Sequence, residues 1–381
     1  MEFRDLKAQY KRYKNEIDSA IQEVLNNANF IGGKEVNTLE KRLAEYVGVN
    51  NCITCANGTD AMTLLMMAWG IGEGDAVFVP DFTFFATGEI VSFCGARPIF
   101  VDVDKDTFNI DTIKLEQVIK KIISEGELNP KVIIPVDLFG LPANYIEIER
   151  IAKKYNLKVL EDGAQGFGGS INGKKACSFG DASITSFFPA KPLGCYGDGG
   201  AIFTDDSDLA ELLNSLKVHG KGESKYDNIR IGVNSRLDSI QAAVLNVKLT
   251  AFIEHELEDV NRVYDIYTER LKGIVETPII PEGYISSFAQ YTIKLKNKEE
   301  RDTLQVKLKT EGIPSMIYYQ KPMHKQGAFA DYTYSDIDFE ITNELCDTVL
   351  SLPMHPYLND EDIEKVVAVV VDYFNKTEVN K

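Results

Sequence analysis

Four short segments of the chain carry side chains whose type and spacing can do chemistry. In Thr185-Ser186-Phe187-Phe188-Pro189-Ala190-Lys191-Pro192-Leu193-Gly194, a lysine sits among aromatic, aliphatic and proline neighbours. Most lysines are solvated surface charges. These flanks imply partial desolvation, which lowers the pKa of an ammonium and frees its amine to attack a carbonyl carbon. The glycines of Gly197-Asp198-Gly199-Gly200 allow backbone to approach closely around it. The second segment, Lys158-Val159-Leu160-Glu161-Asp162-Gly163-Ala164-Gln165, reads as a buried strand ending in two acids. Strand alternation sends Glu161 and Asp162 to opposite faces. An acid at such an end either caps the next helix or stands as a fixed carboxylate in a crevice, where it would hold a bound heterocyclic nitrogen protonated.

The third segment is Ala56-Asn57-Gly58-Thr59-Asp60-Ala61. Gly58 permits a tight turn, Thr59 or Asp60 can open a helix, and the free N–H groups of a helix start make a phosphate seat. An ordinary capped turn uses the same residues. The fourth, Gly232-Val233-Asn234-Ser235-Arg236-Leu237-Asp238, is a polar turn before a helix with Ile240, Val244 and Leu245 in period. Neither G-x-G-x-x-G nor G-x-x-x-x-G-K-[ST] occurs, which argues against a dinucleotide or P-loop site and against an oxidoreductase on a doubly wound sheet.

These segments need elements to position them. Val36, Leu39, Leu43 and Val47 fall at helical spacing between Glu35 and Val47. Strand-like runs follow at Cys52–Cys55, Ala76–Val79, Pro98–Val101, Val132–Val136, Lys158–Glu161 and Ser183–Phe187, mostly separated by helix-like stretches. That alternation predicts an α/β fold with a largely parallel sheet covered on both faces, whose ligands collect at the carboxyl ends of the strands. After about Leu249 the pattern changes. A charged amphipathic helix over Phe252–Leu271, strands at Tyr291–Leu295 and Ser315–Tyr319, and helices over Glu299–Glu311 and Asp360–Phe374 predict a smaller α+β unit. Two domains are expected, 1–250 and 251–381, in keeping with ordinary domain sizes.

Composition narrows the partners. With 41 Lys and Arg against 58 Asp and Glu, the formal charge of −17 repels nucleic acid and acidic membranes, although a local pocket can still hold an anionic small molecule. No apolar run approaches the ~20 residues that span a bilayer. Six irregularly spaced cysteines and no secretory leader fit a reduced cytoplasmic setting. Cys52 and Cys55 form a C-x-x-C with no second pair at zinc-site spacing, so they read as core thiols and no metal site is expected.

Together the four segments resemble the DegT/StrS family of nucleotide-sugar aminotransferases, which have the aspartate-aminotransferase type of fold. The resemblance runs from Phe3-Arg4-Asp5-Leu6 and Phe30-Ile31-Gly32-Gly33, through Pro80-Asp81-Phe82-Thr83-Phe84, to Leu352-Pro353-Met354-His355-Pro356. It implies pyridoxal 5'-phosphate as cofactor, with Lys191 bonded to it and shuttling the proton. Asp162 is then the partner of the pyridinium nitrogen, Gln165 lies near the ring oxygen and Phe84 stacks on the ring. Gly58, Thr59 and Ser186 would take the phosphate, joined by Asn234 from a second subunit, so a homodimer with shared sites is implied. Relatives that are dehydratases have histidine in place of the lysine, so Lys191 implies transamination.

Within the family, the segment from Ser186 to Ala201 is most similar to members that aminate C3 of UDP-linked 2-acetamido-3-keto-hexuronic acids, which implies a nucleotide-sugar substrate and glutamate as donor. Where many relatives have His-Tyr-Pro, this chain has Tyr318-Tyr319-Gln320, followed by Pro322-Met323-His324-Lys325. Tyr318 and His324 are therefore expected on the sugar side, and C4 amination of a UDP- or TDP-linked 4-keto-6-deoxy sugar stays open. Arg236 can grip a carboxylate through two parallel hydrogen bonds, or it pairs with Asp238 and shapes the turn. A non-catalytic cofactor-binding regulator would share the fold, but no basic patch or DNA-binding extension is visible in the sequence.

Overall fold

The computed structural model describes residues 1–224, 226–332 and 334–379. Seven strands form its main sheet, in the order Asn51–Cys55, Gly200–Thr204, Ala182–Ser186, Lys158–Asp162, Asn129–Ile133, Asp75–Pro80 and Arg97–Val101. All neighbours are parallel except Gly200–Thr204, which runs antiparallel to both of its partners. The six runs expected from sequence are all present, with ends shifted by at most three residues. Gly200–Thr204 was not among them. Its apolar stretch, Ala201-Ile202-Phe203, is three residues long and follows a glycine-rich loop, so only its pairing makes it a strand.

Both faces of the sheet are covered, as parallel strands require. On one face, helices Gly58–Ala68, Ala86–Phe93 and Ser207–Leu216 pack Leu64, Ile90 and Leu213 against Val79, Ile134, Leu160 and Ile202. Helices Thr112–Glu125 and Tyr145–Tyr155 cover the other face through Leu115, Ile119, Ile148 and Ile151. Helix Lys34–Val47 joins them there, burying Val36, Leu39, Leu43 and Val47 as its period predicts.

Beyond the sheet, Ser239–Ala251, a π turn at Phe252–Glu256 and Leu257–Leu271 follow one another without a break. A division of the chain at 250/251 would fall within this rod. Its far half packs Val263 and Tyr267 into a second core with Ile293, Leu304, Leu350 and Val366. That core covers an antiparallel strand pair, Tyr291–Lys294 with Val349–Leu352. The expected strand Ser315–Tyr319 does not form. Only Met316 bridges, to Ser351, and residues 318–319 turn away. The reason lies further along: the backbone N–H of Met323 donates to the Asp81 carbonyl and that of His324 to the Asp81 carboxylate, which draws this stretch onto the main sheet's ligand edge.

One close approach sets the geometry at that edge. A Cβ on Gly200 would stand 2.4 Å from the Asn57 carbonyl carbon and 2.8 Å from the Gly58 nitrogen, both backbone atoms that cannot swing aside. Gly200→Ala should therefore destabilise the fold by about 1–3 kcal/mol and displace the Asn57-Gly58 turn. Thermal unfolding and cofactor retention through gel filtration measure the two effects; a variant as stable as wild type that retains cofactor equally would contradict it.

Candidate active site

A cavity of about 990 Å³ opens at the carboxyl ends of Lys158–Asp162 and Ala182–Ser186. Lys191, Asp162, Gln165, Gly58, Thr59, Phe84, Ser186 and Tyr318 all line it. Strand order is what brings them together, because Asp162 and Ser186 end adjacent parallel strands while Gly58 opens the helix that follows the sheet's edge strand.

Asp162 is buried at the cavity floor. Its Oδ2 accepts from the Thr87 hydroxyl at 2.9 Å and its Oδ1 from the Ala164 N–H at 3.2 Å. Burial raises its pKa, and the Thr87 and Ala164 donors together with the Lys191 charge pull it back. Two donors satisfy only part of a carboxylate's capacity, so this group suits a further N–H from a ligand. Lys191 is half-buried. Desolvation lowers its pKa, Asp162 opposes that shift, and Arg4 adds to it. Less charge on the amine at neutral pH makes it a better nucleophile.

At the opposite wall, the Asn57 side chain caps helix Gly58–Ala68 by accepting from the Asp60 N–H at 2.7 Å. The first-turn N–H groups of Gly58 and Thr59 have no preceding helical carbonyl to donate to and form an anion seat beside Ser186. Gln165 is spoken for: its Oε1 accepts from the Phe139 N–H at 2.9 Å and its Nε2 donates to the Tyr319 hydroxyl at 3.2 Å. Gln165 thus fixes Tyr319, which lines the cavity beside Phe84 and was not singled out from sequence. Thr87 was missed as well. Nothing in Ala86-Thr87-Gly88 marks that threonine until helix Ala86–Phe93 is laid against the end of strand Lys158–Asp162.

Three expected site residues do not line this chain's cavity, Asn234 among them having been expected to serve the site of a second subunit. His324 does not line the cavity. It is buried, its Nδ1 stands 2.6 Å from Asp81 Oδ2 and its ring stacks on Phe339, so it anchors the Tyr318–Gln320 loop from behind. Asn234 and Arg236 lie outside the cavity, with Arg236 donating to Asn234 Oδ1 at 2.6 Å. Arg236 borders a separate opening of about 860 Å³ with His219, Lys221 and Arg230.

A desolvated amine, a part-satisfied buried carboxylate and an anion seat around one cavity fit a phosphorylated heterocycle bearing a carbonyl group. The comparisons agree with that chemistry. A family model described as "DegT/DnrJ/EryC1/StrS aminotransferase family" matches residues 11–371. The chain belongs to this family. It is 44% identical over 373 residues to a UDP-2-acetamido-2-deoxy-3-oxo-D-glucuronate aminotransferase of Pseudomonas aeruginosa, covering 98% of this chain and 100% of the relative. It is 39% identical over 367 residues to a UDP-N-acetyl-3-dehydro-alpha-D-glucosamine 3-aminotransferase of Acidithiobacillus ferrooxidans, covering 96% of each. A crystal structure of a DegT DnrJ EryC1 StrS aminotransferase from Brucella abortus superposes with a TM-score of 0.96 at 49% identity, over 98% of this chain and 99% of that one. The protein is a pyridoxal-phosphate-dependent aminotransferase with the fold of this family.

On the far face of the aminotransferase's site strand, Glu161 points away from Asp162 as alternation requires, accepting the N–H groups of Cys177 and Phe179. Its carboxyl faces Asp137, whose Oδ1 takes the Ala143 N–H and the Tyr145 hydroxyl while its buried Oδ2 meets no donor. Two acceptors face each other stably only with a proton between them. Burial raises both carboxyls above the ordinary range. A raised folded-state pKa stabilises the fold fully below the unfolded value of about 4 and loses that contribution as pH rises through the folded value. The apo chain should therefore lose stability between about pH 5 and about pH 8, with a shallower slope in Asp137→Asn. Unfolding midpoints across that range check it; parallel slopes in both proteins would remove the shared proton.

Proposed function

We propose that this aminotransferase moves an amino group from glutamate to C3 of a UDP-linked 2-acetamido-3-keto-hexose, producing an amino sugar for surface polysaccharide. The observation that carries the reading is the pairing of Lys191 with Asp162 across one cavity that also contains a helix-start anion seat. The names of the 44% and 39% identical relatives, both of which act on UDP-linked 3-keto sugars, support the substrate class. When bound, pyridoxal phosphate supplies the electron sink and carries the amino group between the two substrates. Lys191 holds the cofactor and moves a proton at its Nζ. Asp162 orients the cofactor and keeps its ring nitrogen charged. Gly58, Thr59 and Ser186 bind its phosphate, Phe84 covers its face, and Tyr318 with Tyr319 borders the sugar.

The active form in this reading is a cytoplasmic homodimer. Asn234 reaches the phosphate of the neighbouring subunit, which accounts for its distance from its own chain's cavity. The opening lined by His219, Lys221, Arg230 and Arg236 gathers cations on a chain of net charge −17. That concentration supports a role for this edge in completing a mouth for an anionic diphosphate. No helix among the described residues is long and apolar enough to cross a membrane.

Incubation with glutamate and a panel of UDP- and TDP-linked keto-sugars, read by product mass, should yield an amino sugar from the UDP-linked 3-keto substrates. Borohydride should fix the cofactor onto the peptide that contains Lys191, and Lys191→Ala should lower turnover at least ~100-fold while leaving the fold intact. Product from 4-keto-6-deoxy sugars alone, or a labelled peptide lacking Lys191, would overturn the reading.

Shared sites have a separate signature. Lys191→Ala and Asn234→Ala are each expected to be inactive alone, yet mixed dimers should recover activity, because one of the two hybrid sites retains both residues. Absence of recovery in verified mixed dimers would count against the exchange.

A further inference from the structure

Beneath the Lys191 loop lies a cluster of charged and polar groups that the transamination reading leaves unassigned. Arg4 Nη2 donates to the Lys191 carbonyl at 2.8 Å and to the Pro192 carbonyl at 3.3 Å. Lys248 is buried on helix Ser239–Ala251, and its Nζ donates to the Gly194 carbonyl. The same ammonium stands 5.2 Å from the centre of the Tyr196 ring. Between these cations is Glu256, buried at the end of the π turn, where it accepts from the Gln9 amide at 2.9 Å and from the Tyr357 hydroxyl. Glu256 is the largest favourable charge acting on both Arg4 and Lys248.

A buried lysine is costly unless something compensates it, and most lysines avoid the position altogether. The compensation here consists of one carboxylate and the backbone carbonyls of a single loop. Burial lowers Lys248 to about 8, with Glu256 and Cys195 opposing the shift and Arg4 adding to it. The loop itself cannot relax easily: a Cβ at Gly194 would stand 2.5 Å from the Pro189 carbonyl oxygen and 2.6 Å from that of Phe188. Lys191 N–H also donates back to the Phe188 carbonyl at 2.9 Å.

We propose that Arg4 and Lys248 are positioning residues for Lys191. By gripping the carbonyls of Lys191, Pro192 and Gly194 they fix where the reactive amine stands, and Arg4 adds a positive charge that acts on it. The inference rests on Lys191 being the cofactor-binding residue. It assigns the buried lysine, the N-terminal arginine and the π turn to one task. Arg4 lies next to Phe3, whose carbonyl accepts from Met354 N–H, and Tyr357 of the same stretch donates to Glu256. The charged groups acting on Lys191 itself are Asp162 and Arg4.

The test measures the amine and not turnover. In the apo chain, the rate at which acetic anhydride labels Lys191, resolved by peptide mass, is followed against pH for wild type, Arg4→Gln, Arg4→Lys and Lys248→Met. In parallel, the visible band of added pyridoxal phosphate is titrated with pH. Arg4→Gln should move the Lys191 midpoint upward and slow labelling below it by roughly three- to tenfold, one pKa unit being tenfold. Arg4→Lys should restore most of the midpoint, since it keeps the charge and loses only the forked donor. Lys248→Met should shift the midpoint of the visible band by freeing the Gly194 carbonyl; if that variant fails to fold, Arg4→Gln decides alone. A lower melting temperature in Arg4→Gln with an unmoved Lys191 midpoint would reduce these residues to structural supports and overturn the proposal. Failure of the wild-type cofactor to attach at Lys191 would instead overturn the functional reading beneath it.

Discussion

A carboxylate taken out of water must find partners, and Asp162 has too few of its own. Its position at the end of a central parallel strand removes solvent from it, and the Thr87 hydroxyl and Ala164 N–H supply two hydrogen bonds. Much of the site can be understood as the answer to that shortage. Lys191 is placed where its charge acts on Asp162, and the cavity between them accepts a ligand that can present a charged ring nitrogen. The sheet order follows the same need. Only a parallel arrangement puts the ends of Lys158–Asp162 and Ala182–Ser186 side by side, so that carboxylate and loop lysine face the same space.

Charge is handled differently on the two faces of that strand. Behind Asp162, Glu161 and Asp137 form a buried acid pair, and a proton between them prevents two further negative charges from gathering behind the site. Beneath Lys191, the cations Arg4 and Lys248 donate to backbone carbonyls of the lysine's loop, and Glu256 is the largest favourable charge on both.

The C-terminal part contributes Gln290 and the loop around Tyr318–Gln320. Tyr318 and Tyr319 enter the cavity because His324 and Met323 are tied to Asp81 at the end of strand Asp75–Pro80. His324 serves the site as an anchor. Its imidazole is packed on Phe339 and bonded to a buried acid. Gln165 completes the arrangement by holding both the Phe139 backbone and the Tyr319 hydroxyl, so this wall of the cavity is braced from the large sheet.

The sequence by itself determined the alternation of strands and helices, the opposite facing of Glu161 and Asp162, and the chemical character of Lys191, because these depend on periodicity and on immediate neighbours in the chain. Family resemblance extended that reading to Gly58, Thr59, Phe84, Gln165, Ser186 and Tyr318, all of which border one cavity. Only the tertiary structure decided the rest. Thr87 meets Asp162 across 75 positions and Arg4 meets Lys191 across 187, and no local pattern encodes a contact of that separation. The short strand Gly200–Thr204 needs two antiparallel neighbours to exist, and the β-like run Ser315–Tyr319 gives up its strand because Asp81 captures the backbone just beyond it. His324, expected on the sugar side, is held buried outside the cavity by Asp81, 243 residues away in sequence, a contact that residue type alone does not encode.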